Sequence, residues 1–212
     1  MMAPTKAGLS LVAALFSASA AAPAFAADAA NPDWPCVQRK VATLTSTQMW
    51  DGPQVDTLTQ WRGNEDIGRL IPALTSRRVP PEEAAAAIEA FAAAQPQGKR
   101  DDALKLLFAG LLNTINSDRA IVMSGIERFQ QRQRGRAVEL ERQATAIREL
   151  KERAQTDAAA RTELAMAEER YNWDARVFTE RQQSLPLACE VPVLIEQRLF
   201  GLAREIRARM TD

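Results

Sequence analysis

The stretch "ELERQATAIRELKERAQTDAAARTELAMAEERYNWDARVF" (Glu139–Phe178) decides the fold. Its first half sets Leu140, Ala144, Ile147 and Leu150 in steps of four, three and three. Its second half sets Leu164, Tyr171 and Phe178 seven apart. Side chains at these spacings return to one face of an α-helix, and so narrow a stripe is the seam of a two-helix coiled coil. Only "QTD" (Gln155–Asp157) separates the halves. A connection that short folds the second helix back on the first as an antiparallel hairpin, with Asp157 capping the returning helix.

Outward from this stretch, the seam extends upstream through Val122, Ile126, Phe129, Gln133 and Ala137, and downstream to Leu185. Gln133 interrupts it with a polar group, and Gly135 weakens the helix by up to about 1 kcal/mol without ending it. The first arm, Asp118 to Gln155, spans about 57 Å and the second, Asp157 to Ser184, about 42 Å at the α-helical rise. Pro186 is expected to end the second arm and Pro192 to start a last helix bearing Ile195, Leu199, Leu202 and Ile206 on one face. Upstream, Leu104, Leu107, Phe108, Leu111, Leu112 and Ile115 form a broad stripe suited to a packed core. Asp101 and Asp102 begin that helix. Pro80-Pro81-Glu82-Glu83 begins another that runs to about Ala94, with proline and acids where a first turn favours them.

Three short helices are expected before it. The first is Leu44–Trp50, with Thr45 and Gln48 in capping-box positions. The second is Gln54–Trp61. The third is Glu65–Arg77, kinked or ended by Pro72. Residues 27–43, with Pro32 and Pro35, read as an extended lead. The expected fold is all-α: one domain, residues 27–212. Residues 27–116 with 186–212 form a helical head, and 117–185 form a hairpin arm. The narrow seam and charged outer faces favour an arm that projects from the head over a squat bundle.

The first 26 residues carry Lys6, the apolar run "LSLVAALFSASAAA" and the small-x-small end Ala24-Phe25-Ala26. This pattern predicts a signal peptide cleaved after Ala26. The run is shorter than the roughly 20 residues that span a bilayer, and Cys36 lies too far from the cleavage point to carry a lipid. A periplasmic protein is therefore expected. In an oxidising compartment the only two cysteines, Cys36 and Cys189, are expected to pair. A redox or metal site fits less well, because neither has a second cysteine nearby and the chain has no histidine. The bond would clasp the lead segment to the base of the hairpin, where Cys189 falls.

Lys and Arg total 27, as do Asp and Glu, so net charge calls for no nucleic acid. Residues 119–153 nevertheless carry nine basic and five acidic side chains. Without histidine, a Ser-x-x-Lys setting or a glycine-rich phosphate loop, no enzyme, cofactor or metal is expected. The acid pairs Glu82-Glu83 and Asp101-Asp102 sit at helix starts, where dipole interactions account for them. Two candidate sites remain. Arg128, Arg132 and Arg136, at i, i+4 and i+8, form a ridge that suits an acidic protein or an anionic envelope surface. The plainer reading is a solvated face. Trp34, Trp50 and Trp61 could line a ligand pocket, or they could pack the head.

"LTSTQ" (Leu44–Gln48) resembles the motif of the periplasmic LTxxQ family of chaperones and stress sensors, small exported helical hairpins. That family carries the motif twice, and "DTLTQW" (Asp56–Trp61) departs from it; a capping box also produces the pattern by itself. "WPCVQRKV" (Trp34–Val41), the Trp50-Asp51-Gly52-Pro53 turn and "MSGIERF" (Met123–Phe129) together resemble a group of secreted proteobacterial helical proteins without an assigned activity. This second resemblance covers most of the mature chain and implies export and a helical fold. The leading functional expectation is an exported, non-enzymatic protein-interaction, adaptor or chaperone-like factor with a periplasmic protein partner. Alternatives are a small-molecule binder using the tryptophan-rich head and an envelope-surface accessory factor using the arginine-rich arm. Self-association through the arm is a further option.

Overall fold

A computed structural model describes residues 32–211. The expected signal peptide lies outside the described residues. In chain order come α1 (Ser46–Met49), a 3-10 turn (Gln60–Gly63), α2 (Glu65–Thr75), α3 (Pro81–Ala93), α4 (Arg100–Arg153) and α5 (Ala158–Arg207). No strand occurs among the described residues, and the all-α expectation holds.

Two long helices dominate. α4 has 54 residues and α5 has 50, or about 81 and 75 Å at the α-helical rise. They run antiparallel in one register from turn to head. Lys151 meets Glu168 at 3.0 Å, Gln143 meets Asp174 at 3.0 Å, Gln133 meets the Phe178 carbonyl at 3.3 Å, and Arg119 meets Glu196 at 2.5 Å. At the turn, the Asp157 carboxylate accepts the Ala159 N–H at 2.8 Å, as its cap position predicts. Met123, Ile126, Gln133, Ile147 and Leu150 are buried along the seam, while Tyr171 and Phe178 are half-buried, as a two-helix seam wetted from both sides requires.

α5 corrects one expectation. It runs unbroken through Pro186 and Pro192. Each proline lacks an N–H and crowds the carbonyl four residues back, which alone favours a break. Here the apolar face continues without a gap through Leu185, Ala188, Cys189, Pro192 and Leu199. The lead segment adds a tether at the same place, since the Gln38 side chain donates to the Cys189 carbonyl. Packing of an apolar face outweighs local propensity. Pro72 likewise does not end α2, which continues to Thr75.

The helix expected over Gln54–Trp61 is a second correction. Residues 54–59 are not helical, and only the short 3-10 turn at Gln60–Gly63 is present. Asp56 accepts the Ser46 N–H at 2.9 Å and the Ser46 hydroxyl, so this segment folds back to anchor α1. Thr45 and Gln48 form the expected capping box.

The head core joins Leu104, Leu107, Phe108, Leu111 and Ile115 of α4 to Ile67, Ile71 and Leu74 of α2, Ile88 of α3, and Leu199, Leu202 and Ile206 of α5. Gly110 permits the α2–α4 approach: a Cβ there would lie 2.6 Å from the Ile71 methyl.

Candidate functional site

The lead segment is a strap. Cys36 and Cys189 are bonded, with Cα atoms 5.6 Å apart. Around them Trp34, Met123 and Ile126 form a small apolar cluster separate from the head core. On either side of the bond the strap is held to α4. Arg134 donates to the Pro32 carbonyl at 3.0 Å and pairs with Asp33. Lys40 pairs with Glu127 at 2.5 Å, and Asn116 makes two 2.9 Å bonds to the Leu44 backbone. Arg119, only 1% exposed, donates to the Val41 carbonyl at 3.0 Å while pairing with Glu196. Sequence reasoning anticipated the clasp but not Arg119, Glu196 or Asn116, because no local spacing links residues more than seventy positions apart.

The three tryptophans of the expected pocket do not converge. Trp34 sits in the disulfide cluster and donates to the Gln38 carbonyl at 2.7 Å. Trp50 stacks on Phe108 in the head core, ring centroids 4.1 Å apart, and donates to the Pro53 carbonyl at 3.1 Å. Trp61 packs at the edge of the head core, with the Arg62 guanidinium 4.7 Å above its ring. Two of the three indole donors are thus satisfied internally. Trp50 also borders an open depression of about 430 Å³ shared with Met49, Phe200 and Arg204, which neither Trp34 nor Trp61 lines.

Arg128, Arg132 and Arg136 are all exposed, and none has an ion-pair or hydrogen-bond partner among the described residues. Their neighbours differ. Arg134 is engaged by the strap, and Arg142 is bound by Glu139 through bonds of 2.8 and 2.6 Å. The Arg142 guanidinium, with help from Gln143, holds the Glu139 carboxyl down to about 2. Glu139 is therefore committed toward Arg142 and not to the ridge. Past Arg134 the hairpin extends about 30 Å to its turn, and among the described residues the hydrogen bonds and ion pairs there lie within or between its own two helices.

Among the described residues no group of three or more Cys, Asp or Glu is placed to hold a metal ion. Glu82 and Glu83 lie in the first turn of α3, and Asp101 and Asp102 in that of α4. Asp102 pairs with Lys105 at 2.6 Å, which lowers its carboxyl from the ordinary value. No described helix is long and apolar enough to cross a membrane.

A second exposed feature escaped the sequence reading. Met166, Trp173, Leu187 and Leu194 stand out on the face of α5 turned away from α4. Their signal was present, since they repeat at multiples of seven, two places behind the seam residues Leu164, Tyr171, Phe178 and Leu185.

Together these features define the class: an all-α protein with a helical head, a disulfide-clasped strap and a long antiparallel hairpin. No protein-family model, curated protein or solved structure matches the chain.

Proposed function

We propose that this is an exported, non-enzymatic adaptor of the periplasm that presents its hairpin to a protein partner and holds an acidic segment of it on Arg128, Arg132 and Arg136. The supporting observation is the contrast along α4: three exposed, unpaired guanidinium groups lie in a row, whereas Arg134 and Arg142 are engaged. Like charges at i, i+4 disfavour a helix by a few tenths of a kcal/mol per pair. A carboxylate-rich partner relieves that repulsion, and guanidinium binds carboxylate bidentately. The paired cysteines and the N-terminal sequence pattern support export.

The test compares capture from envelope extract by the mature protein and by the Arg128→Glu/Arg132→Glu/Arg136→Glu variant, with captured proteins identified by mass spectrometry. Capture of an acidic protein by the wild type, falling with added salt and lost in the variant, is expected. Equal capture by both would remove the ridge from function. Salt-sensitive binding to anionic vesicles without any captured protein would replace the adaptor by an envelope-surface role.

A further inference from the structure

We propose that the outer face of α5 is a homodimer interface, on which a second copy of this chain lays its own α5 antiparallel about a twofold axis level with Gln183. This surface lies on the other long helix from the arginine ridge, and the inference does not depend on the adaptor reading.

The face is largely apolar where solvent-exposed helix should be polar, with Glu180 standing on the same line between Trp173 and Leu187. Met166, Trp173, Leu187 and Leu194 are 66, 64, 66 and 46% exposed. Residues seven apart return to one line along a coiled-coil helix. Val177 and Val191 each lie four places beyond Trp173 and Leu187, widening that line into a second seam, and both are half-buried. The first seam of α5 already packs on α4. The second lies about 200° around the helix from it at 100° per residue. From Met166 to Leu194 it runs about 42 Å, the length of a four-heptad coiled coil. Near its outer end Met166, Arg170, Trp173 and Arg176 line a shallow depression of about 820 Å³ built by α5 alone. An exposed tryptophan flanked by arginines is the composition of an interface centre.

The charges identify the occupant. Arg176 and Glu190 each stand seven residues from Gln183. Both are exposed, and neither has an ion-pair or hydrogen-bond partner among the described residues. In an antiparallel pair about Gln183, Arg176 of one copy falls beside Glu190 of the other, and symmetry makes the contact twice. In the same register Trp173 falls between Val191 and Leu194 of the second copy, Val177 falls beside Leu187, and the two Gln183 amides meet on the axis. Other arrangements are penalised. An in-register parallel pair sets Arg170 on Arg170 and Arg176 on Arg176. An axis moved to Glu180 sets Glu180 on Glu180 and Glu169 near Glu190. The strap leaves this face open, since its ties to the hairpin are to α4 and to the Cys189 position.

Sedimentation velocity on the mature, disulfide-bonded protein over a wide concentration range tests the proposal, with far-UV helicity as the folding control. The wild type is expected to dimerise. Trp173→Glu is expected to abolish the dimer. Arg176→Glu and Glu190→Arg are each expected to weaken it by about tenfold or more, because each sets like charges together twice. Mixing those two variants restores complementary pairs and should return the dimer, as should the Arg176→Glu/Glu190→Arg double variant. Gln183→Cys should cross-link into a covalent dimer under mild oxidation, and Glu169→Cys should not. A wild type that stays monomeric, a dimer indifferent to Trp173→Glu, or a mixture that fails to recover overturns the proposal. A monomer that still loses its acidic partner when the ridge is reversed overturns only the dimer. A dimer that captures no partner overturns only the adaptor reading.

Discussion

The pair Arg119–Glu196 should respond asymmetrically to loss of its two members. Arg119 is 1% exposed, whereas the Glu196 side chain is 34% exposed. The guanidinium spends one Nη on both Glu196, at 2.5 Å, and the Val41 carbonyl, at 3.0 Å, while its Nε and other Nη have no protein partner. Glu196→Gln leaves a buried cation without its counter-charge. Stripping one partner from a fully buried pair costs about 3–5 kcal/mol. Water reaches a third of Glu196, so about 2–3 kcal/mol is expected for this pair. Arg119→Met puts an apolar chain of similar length in the same place and lets Glu196 turn toward water. The Val41 carbonyl loses a donor, but it lies on an exposed strap where water replaces it, so the net cost should be about 1 kcal/mol. The double variant should resemble Arg119→Met alone, giving a coupling of about 2 kcal/mol in a double-mutant cycle. Urea unfolding of the four proteins, followed by far-UV circular dichroism with the disulfide intact, measures all of these. A cost for Arg119→Met equal to or above that for Glu196→Gln would refute the reasoning, because a buried cation without its counter-charge would then cost no more than the loss of the cation itself.

Three further outcomes follow from other contacts. Thiol labelling of unreduced, denatured protein should modify neither cysteine; Cys36→Ser/Cys189→Ser should lose up to about 5 kcal/mol, since the bond closes a loop of 153 residues. Gln133→Leu should gain about 1 kcal/mol and raise Tm by about 2–4 °C, because it trades a 3.3 Å bond and a partnerless buried Oε1 for seam packing; a loss of stability would show that the bond to Phe178 outweighs both. Burial pushes the Asp56 carboxyl up, but the Ser46 hydroxyl, the Ser46 N–H and the N–H of Asp56 itself together outweigh it, and the net value lies below that of an ordinary aspartate. The ionised form then adds stability above the ordinary value that fades as pH falls through the lowered one. The deficit of Asp56→Asn in urea should accordingly be largest at neutral pH and shrink as the solution is acidified below the ordinary aspartate range, and a deficit that grows on acidification would contradict this.

The ridge shows how far sequence carries a site. That Arg128, Arg132 and Arg136 share one side of a helix follows from their spacing. That they lack partners while Arg134 and Arg142 have them depends on where the strap lies and which way Glu139 turns, and no spacing contains that. The tryptophans show the same limit more sharply. Their type announces burial, but Trp34 went to the disulfide cluster while Trp50 and Trp61 went to the interior and the edge of the head core.

By itself the sequence determined the two paired arms of the hairpin, their seam, the antiparallel turn at Gln155–Asp157 and the pairing of two lone cysteines. Each follows from helical periodicity, connection length or the count of a residue type. Only the tertiary structure decided that α5 survives Pro186 and Pro192, that Asp56 turns back onto Ser46, that Arg119 is buried against Glu196, and that the second apolar line of α5 faces outward. The physical reason is range. Periodicity and capping act within a few residues, whereas these outcomes depend on which surfaces meet once the chain has closed on itself, and there the free energy of packing exceeds local preference.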